Sequence, residues 1–165
     1  MKKPSKIEVV TAKKAFLLPS AFRAITLFGV VYCQRESDIK LINQTDEIDS
    51  ILKSHETIHV RQAESKRNSW LLFYLAYIWQ WICNLPIIFT GLYMPYKFIE
   101  FELEAFSNEA DYSYCANGPV YQWKYFKKLT LKDKWKFSKQ YKKGHMIFRN
   151  FINEVIIPYM ENKKG

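Results

Sequence analysis

Three observations predict an α+β, mainly helical protein with a small N-terminal sheet. β-Branched and aromatic residues concentrate from Ile25 to Cys33 and end in a polar, charged cluster, as in a strand. Apolar residues recur at helical spacing from Ile51 to about Lys66 and again from about Phe98 to Cys115. Asn117-Gly118-Pro119 then interrupts the chain, and a lysine-rich, aromatic segment of helical character follows. At 165 residues and 19.7 kDa the chain is long enough to bury a core. The break divides it into a main domain, residues 1–118, and a basic extension, 119–165, packed on it.

Near the N-terminus, Ile7 to Val10 reads as a short strand and Pro19 as a breaker. Lys2, Lys3, Lys6, Lys13 and Lys14 leave no uninterrupted apolar run before Pro19, so no cleaved signal peptide is expected and the setting should be cytoplasmic. Cys33, Cys83 and Cys115 form no C-x-x-C and cannot all pair, which fits a reducing compartment and three core thiols, not a disulfide framework. Ile25 to Cys33 is the principal strand, and Ile39 to Ile42 reads as a second. Such a sheet would roof the core or offer an edge to an extended polypeptide.

Asp49 or Ser50 is the expected N-cap of the next helix. Along it, Ile51, Leu52, Ile58 and Ala63 share a side with His55, His59 and Gln62, while Lys53, Thr57, Arg61 and Glu64 lie opposite. Two of the three histidines in the chain thus face inward, where their ring nitrogens need partners. They belong to His55-Glu56-Thr57-Ile58-His59, an H-E-x-x-H. At i and i+4 two imidazoles lie roughly 40° apart around a helix and can reach one metal ion, with the glutamate beside the position of a bound water. Zinc is the expected ion, bound by His55 and His59, with Glu56 as general base.

No charged residue occurs from Asn68 to Tyr96. The helical part of that run is about 14 residues before Asn84-Leu85-Pro86, shorter than a bilayer span needs, and Gly91 and Pro95 interrupt the rest. A buried core helix in a soluble domain is expected. The density of Trp and Tyr from 70 to 93 makes peripheral membrane contact the alternative. On the helix from Phe98 to Cys115, Glu102 falls at the centre of the apolar face and Glu109 beside it, while Glu100, Glu104, Ser107, Asn108 and Asp111 should be solvated. A carboxylate on an apolar face needs a cation. Arg61, a lysine, or the metal held by His55 and His59 could supply it.

These residues carry a resemblance. His55 to His59, followed some forty residues later by Glu102-Leu103-Glu104-Ala105, resembles the gluzincin metallopeptidases, in which a glutamate of an E-x-x-A-type helix is the third zinc ligand. With Ile25 to Cys33, Val60-Arg61-Gln62, Phe106 and Asn108-Glu109, residues 22–112 resemble small zincin-like bacterial proteins. The resemblance implies a zincin-like fold, a polypeptide substrate and Glu102 as third ligand. Phe106 stands where many gluzincins have an aspartate that orients a histidine, so Glu109 would supply the outer hydrogen bond, or Glu104 would be the ligand with Asn108 behind it. Tyr93, Tyr112 and Tyr114 are the candidates for oxyanion stabilisation.

Between Val120 and Lys143 nine lysines and one acid, Asp133, alternate with aromatic residues and supply most of the net charge of +9. That pattern suits a solvated helix face, an anionic membrane surface or nucleic acid. A last helix near His145 to Pro158 should dock on the core, with His145 outside the motif. The expected activity is zinc-dependent peptide hydrolysis. Two rivals are a zincin fold kept as a structural or assembly part, for example of a phage particle, and a nucleic-acid-binding protein whose metal only holds the fold.

Overall fold

The computed structural model describes residues 11–15, 22–43, 51–119 and 122–163, and it is mainly helical with one three-stranded sheet. The chain forms two compact units: Met1–Trp70 with Asn108–Val120, and Leu71–Ser107 with Tyr121–Gly165.

In the first unit, β1 (Thr11–Lys14), β2 (Ala24–Leu27) and β3 (Val30–Cys33) pair in the order β1-β3-β2. β3 runs parallel to β1 and antiparallel to β2. The stretch from Ile25 to Cys33, expected as one strand, is therefore a hairpin. Phe28 (φ 52°) and Gly29 (φ 79°) both take the left-handed conformation, and Leu27 pairs with Val30 across them. A two-residue turn with two positive φ angles matches the twist of its strands, and strand-forming residues on both sides hide it from pattern reading.

Ile39 to Ile42, expected as a strand, belongs to α1 (Glu36–Asn43). Ile39 and Ile42, three apart, reach the same apolar cluster as Ala12, Val31, Cys33 and Leu52. Arg23 pairs at 2.5 Å with the buried Asp38 of α1. The strand expected at Ile7 to Val10 and the caps expected at Asp49 or Ser50 lie outside the described residues. α2 (Ile51–Ser65) buries Ser54, His55, Glu56, Ile58, His59, Val60, Gln62 and Ala63. Lys53, Thr57, Arg61 and Glu64 stay partly exposed, as the helical spacing predicts.

The second unit contains most of α3 (Trp70–Asn84), a 3-10 segment Leu85–Thr90, and the helices Glu100–Asn108 and Leu131–Lys143. Its core gathers Ile87, Phe98, Leu103, Phe126, Phe151 and Ile156, among others. The helix expected from Phe98 to Cys115 is shorter. It ends at Asn108 and resumes as one turn, Tyr114–Asn117. Between them the Asp111 carboxylate accepts from the Ser113 N–H (3.0 Å) and hydroxyl (2.7 Å), a local bond that competes with helix.

The last helix runs from Phe148 to Asn162, past the expected stop at Pro158. A π turn at Ile152–Ile156 precedes the proline. Widening the helix there accommodates a residue that has no N–H and would crowd the carbonyl four residues back.

Two charged residues of the basic segment are buried. Lys134 donates to Glu100 (2.6 Å) and to the Asn84 side chain (3.0 Å). Asp133 caps its own helix through Thr130 and accepts from Tyr159 and Lys163 (2.7 and 2.9 Å). Burial alone would raise its pKa, but these hydrogen bonds together hold it well below the usual carboxylate range. Every other lysine from 122 to 143 is exposed, whereas Trp123, Phe126 and Phe137 are buried.

The expected burial of α3 is overturned. Leu71, Leu75, Ile78 and Trp79 are 66%, 55%, 53% and 66% exposed, while the polar Gln80 and Asn84 are buried. Cys83 on this helix is exposed and Cys115 half-buried, so of the three expected core thiols only Cys33 is one. Burial, with Glu56 and Asp38 nearby, pushes the Cys33 thiol up to about 11, and it stays protonated at neutral pH.

Candidate metal centre

α2 carries His55 and His59 one turn apart, with ring centroids 4.9 Å apart and planes nearly perpendicular. Each imidazole is oriented through Nδ1. His55 Nδ1 lies 2.9 Å from a Glu109 carboxylate oxygen, and His59 Nδ1 lies 2.8 Å from the Gln62 side-chain carbonyl. Both partners accept, so each ring donates from Nδ1, and in a neutral imidazole Nε2 is then the ligating nitrogen. A histidine ligand held this way is typical of metal sites.

Glu56, between the histidines in sequence, is buried and accepts a 2.5 Å hydrogen bond from the Thr26 hydroxyl. Thr26 belongs to β2, which is an edge strand of the sheet among the described residues. Glu102, on the Glu100–Asn108 helix, is 1% exposed and accepts from the Tyr77 hydroxyl of α3 at 2.7 Å. His55, His59 and Glu102 are all buried and are of the residue types that ligate a metal ion.

Glu104 and Glu100 depart from the expected solvated face: they are 2% and 8% exposed. The helical wheel treats the side opposite Glu102 as open to water, whereas Lys134 covers Glu100 there. Among the described residues Glu104 belongs to no group that could hold an ion. Arg61, a sequence-level counter-ion for Glu102, donates instead to the Tyr114 and Gly118 carbonyls at 2.5 and 2.6 Å. A Cβ at Gly118 would stand 2.5 Å from the Tyr114 ring, so glycine is required at that approach.

Of the oxyanion candidates, Tyr93 and Tyr112 are exposed, while Tyr114 is buried with its hydroxyl directed at the Pro119 carbonyl, 3.4 Å away. His145 is exposed, as expected of a histidine outside the motif. Helical spacing places Gln62 on the inward face without giving it a role, although its i+3 position relative to His59 is the available signal. The parts played by Thr26 and Tyr77 have no sequence signal, because both come from elements distant in the chain.

No known protein family, curated protein or solved structure matches this chain.

Proposed function

We propose that His55, His59 and Glu102 hold one zinc ion in a zincin-like domain and that the protein hydrolyses peptide bonds. The observation that carries this reading is the pair of buried imidazoles one turn apart on α2, each oriented through Nδ1, with the buried Glu56 between them in sequence. A set of two nitrogens and one oxygen suits zinc and leaves room for a fourth ligand. Glu56, Glu102, Glu104 and Glu109 are all less than a tenth exposed, and a divalent cation would offset the cost of burying such charge.

When bound, zinc in such a site polarises a carbonyl and lowers the pKa of its water. The chain's own groups supply the remainder. Glu56 takes the proton of the attacking water and passes it to the leaving amine, and the Thr26 hydroxyl fixes the direction in which its carboxylate faces. Glu109 and Gln62 keep both imidazoles in the ligating tautomer. Tyr77 restrains Glu102. β2, an edge strand beside Glu56, is positioned to pair with an extended polypeptide.

The test is cleavage of a fluorescently labelled, unfolded protein by the purified chain. Cleavage should stop with a chelator and return on adding one equivalent of zinc. Zinc-loaded protein that leaves this substrate and a peptide library intact would contradict the proposal.

A further inference from the structure

We propose that the outward face of α3, together with the 3-10 segment after it, is a lipid-docking surface that inserts among the acyl chains of an anionic bilayer. The first observation is an inverted amphipathic pattern. Leu71, Leu72, Leu75, Ile78, Trp79 and Ile82 are all exposed and recur at spacings of one, three and four residues, which makes them one stripe. The polar side chains face the other way. Gln80 is buried, Asn84 donates to the Pro95 carbonyl and accepts from Lys134, and Tyr77 donates to Glu102. A helix selected for water directs its apolar side inward, and this one directs it outward. Its matching solvent is hydrocarbon.

The second observation is extent. Trp70–Thr90 is 21 residues long, and only 22% of its most apolar stretch is buried. Core helices of soluble proteins can be as long and as apolar, but they are mostly buried. The exposed apolar surface continues through Phe89 (84%) and Leu92 (69%). Trp79, Trp81 and Tyr93, all exposed, are the residue types that favour the headgroup boundary.

Charge supplies the third observation. The same unit exposes Lys124, Lys127, Lys128, Lys132, Lys136, Lys139, Lys142 and Lys143. Of the aromatic residues between them, Trp123, Phe126 and Phe137 are turned into the core, and Tyr125, Trp135 and Tyr141 pack half-buried against it. Exposed lysine charge beside rings that mostly pack on the core fits lipid phosphates better than single-stranded nucleic acid. The inference does not depend on the metal.

The experiment is flotation of the purified chain with vesicles of phosphatidylcholine and phosphatidylglycerol containing brominated lipid, read by tryptophan quenching. The protein should float and be quenched, more weakly on phosphatidylcholine alone, and His55→Ala should behave as the unaltered chain does. Leu75→Glu with Trp79→Glu should reduce partitioning by roughly tenfold or more, since each exposed apolar side chain contributes on that scale. Leu75→Ser with Trp79→Ser should give a smaller loss in the same direction if the charged pair misfolds. The proposal is overturned if the chain stays unquenched in the aqueous fraction, whether as a monomer, as a self-associated species covering α3, or bound to added oligonucleotide. It is equally overturned if both double variants float as well as the original.

Discussion

Glu56→Gln should retain the metal and the fold while peptide hydrolysis falls by about a hundredfold or more, the scale for loss of a positioned general base. The substitution keeps the volume of the side chain, and the new amide oxygen would still accept from Thr26, so the local packing that holds Glu56 at 4% exposure survives. What is lost is the ability to carry a proton. Glu102→Gln should act differently, by removing a charged ligand and weakening metal retention. Activity assays and metal content on the two variants separate the roles. If Glu56→Gln hydrolysed at the original rate, this glutamate would be an ordinary buried acid and the assignment would fail. Glu104→Gln is not a silent control, because Glu104 is buried and its replacement alters a packed interior position.

The largest stability loss should come from Lys134→Ala. Lys134 is 4% exposed and holds Glu100, 8% exposed, at 2.6 Å. Removing the ammonium leaves a buried carboxylate without its cation and empties the volume of the lysine stem, and breaking a buried pair in this way costs about 3–5 kcal/mol. Chemical denaturation followed by circular dichroism gives the value. Lys134→Met combined with Glu100→Leu should recover most of the loss, since replacing both charges removes the desolvation problem instead of exposing it. A loss below about 1 kcal/mol for Lys134→Ala is the scale of a solvated surface pair and would mean that the contact behaves as one.

Much of the site is legible in the sequence because its residues lie on single helices. The i, i+4 spacing of His55 and His59, the inward side of α2 and the central place of Glu102 on an apolar face all follow from one periodicity. Glu109 falls beside Glu102 on that face for the same reason, while its role as a histidine partner is what the gluzincin resemblance implies, given Phe106 in place of an orienting aspartate. The expectations fail where periodicity gives no information. A two-residue turn at Phe28-Gly29 splits a run that remains strand-like on both sides. Ile39 and Ile42 satisfy a short strand and a short helix equally well, and the helix prevails through its packing on Val31 and Cys33.

α3 shows a different failure. Its apolar residues suggest core because apolar residues usually seek the interior, yet composition does not reveal which side of a helix faces inward when nearly all of it is apolar. Gln80 and Asn84 hold that information. They fall on the same side as Phe73 and Tyr77, so the polar minority marks the inner face. The buried Lys134 is not legible either, since it is one of nine lysines in a basic run and its acid lies 34 residues away.

Metal stoichiometry tests the central claim most directly. Protein purified without chelators should carry close to one zinc per chain by elemental analysis, and His55→Ala, His59→Ala and Glu102→Gln should each reduce that content while Glu56→Gln leaves it unchanged. Folded, metal-free protein that gains no zinc at micromolar free metal would contradict the account.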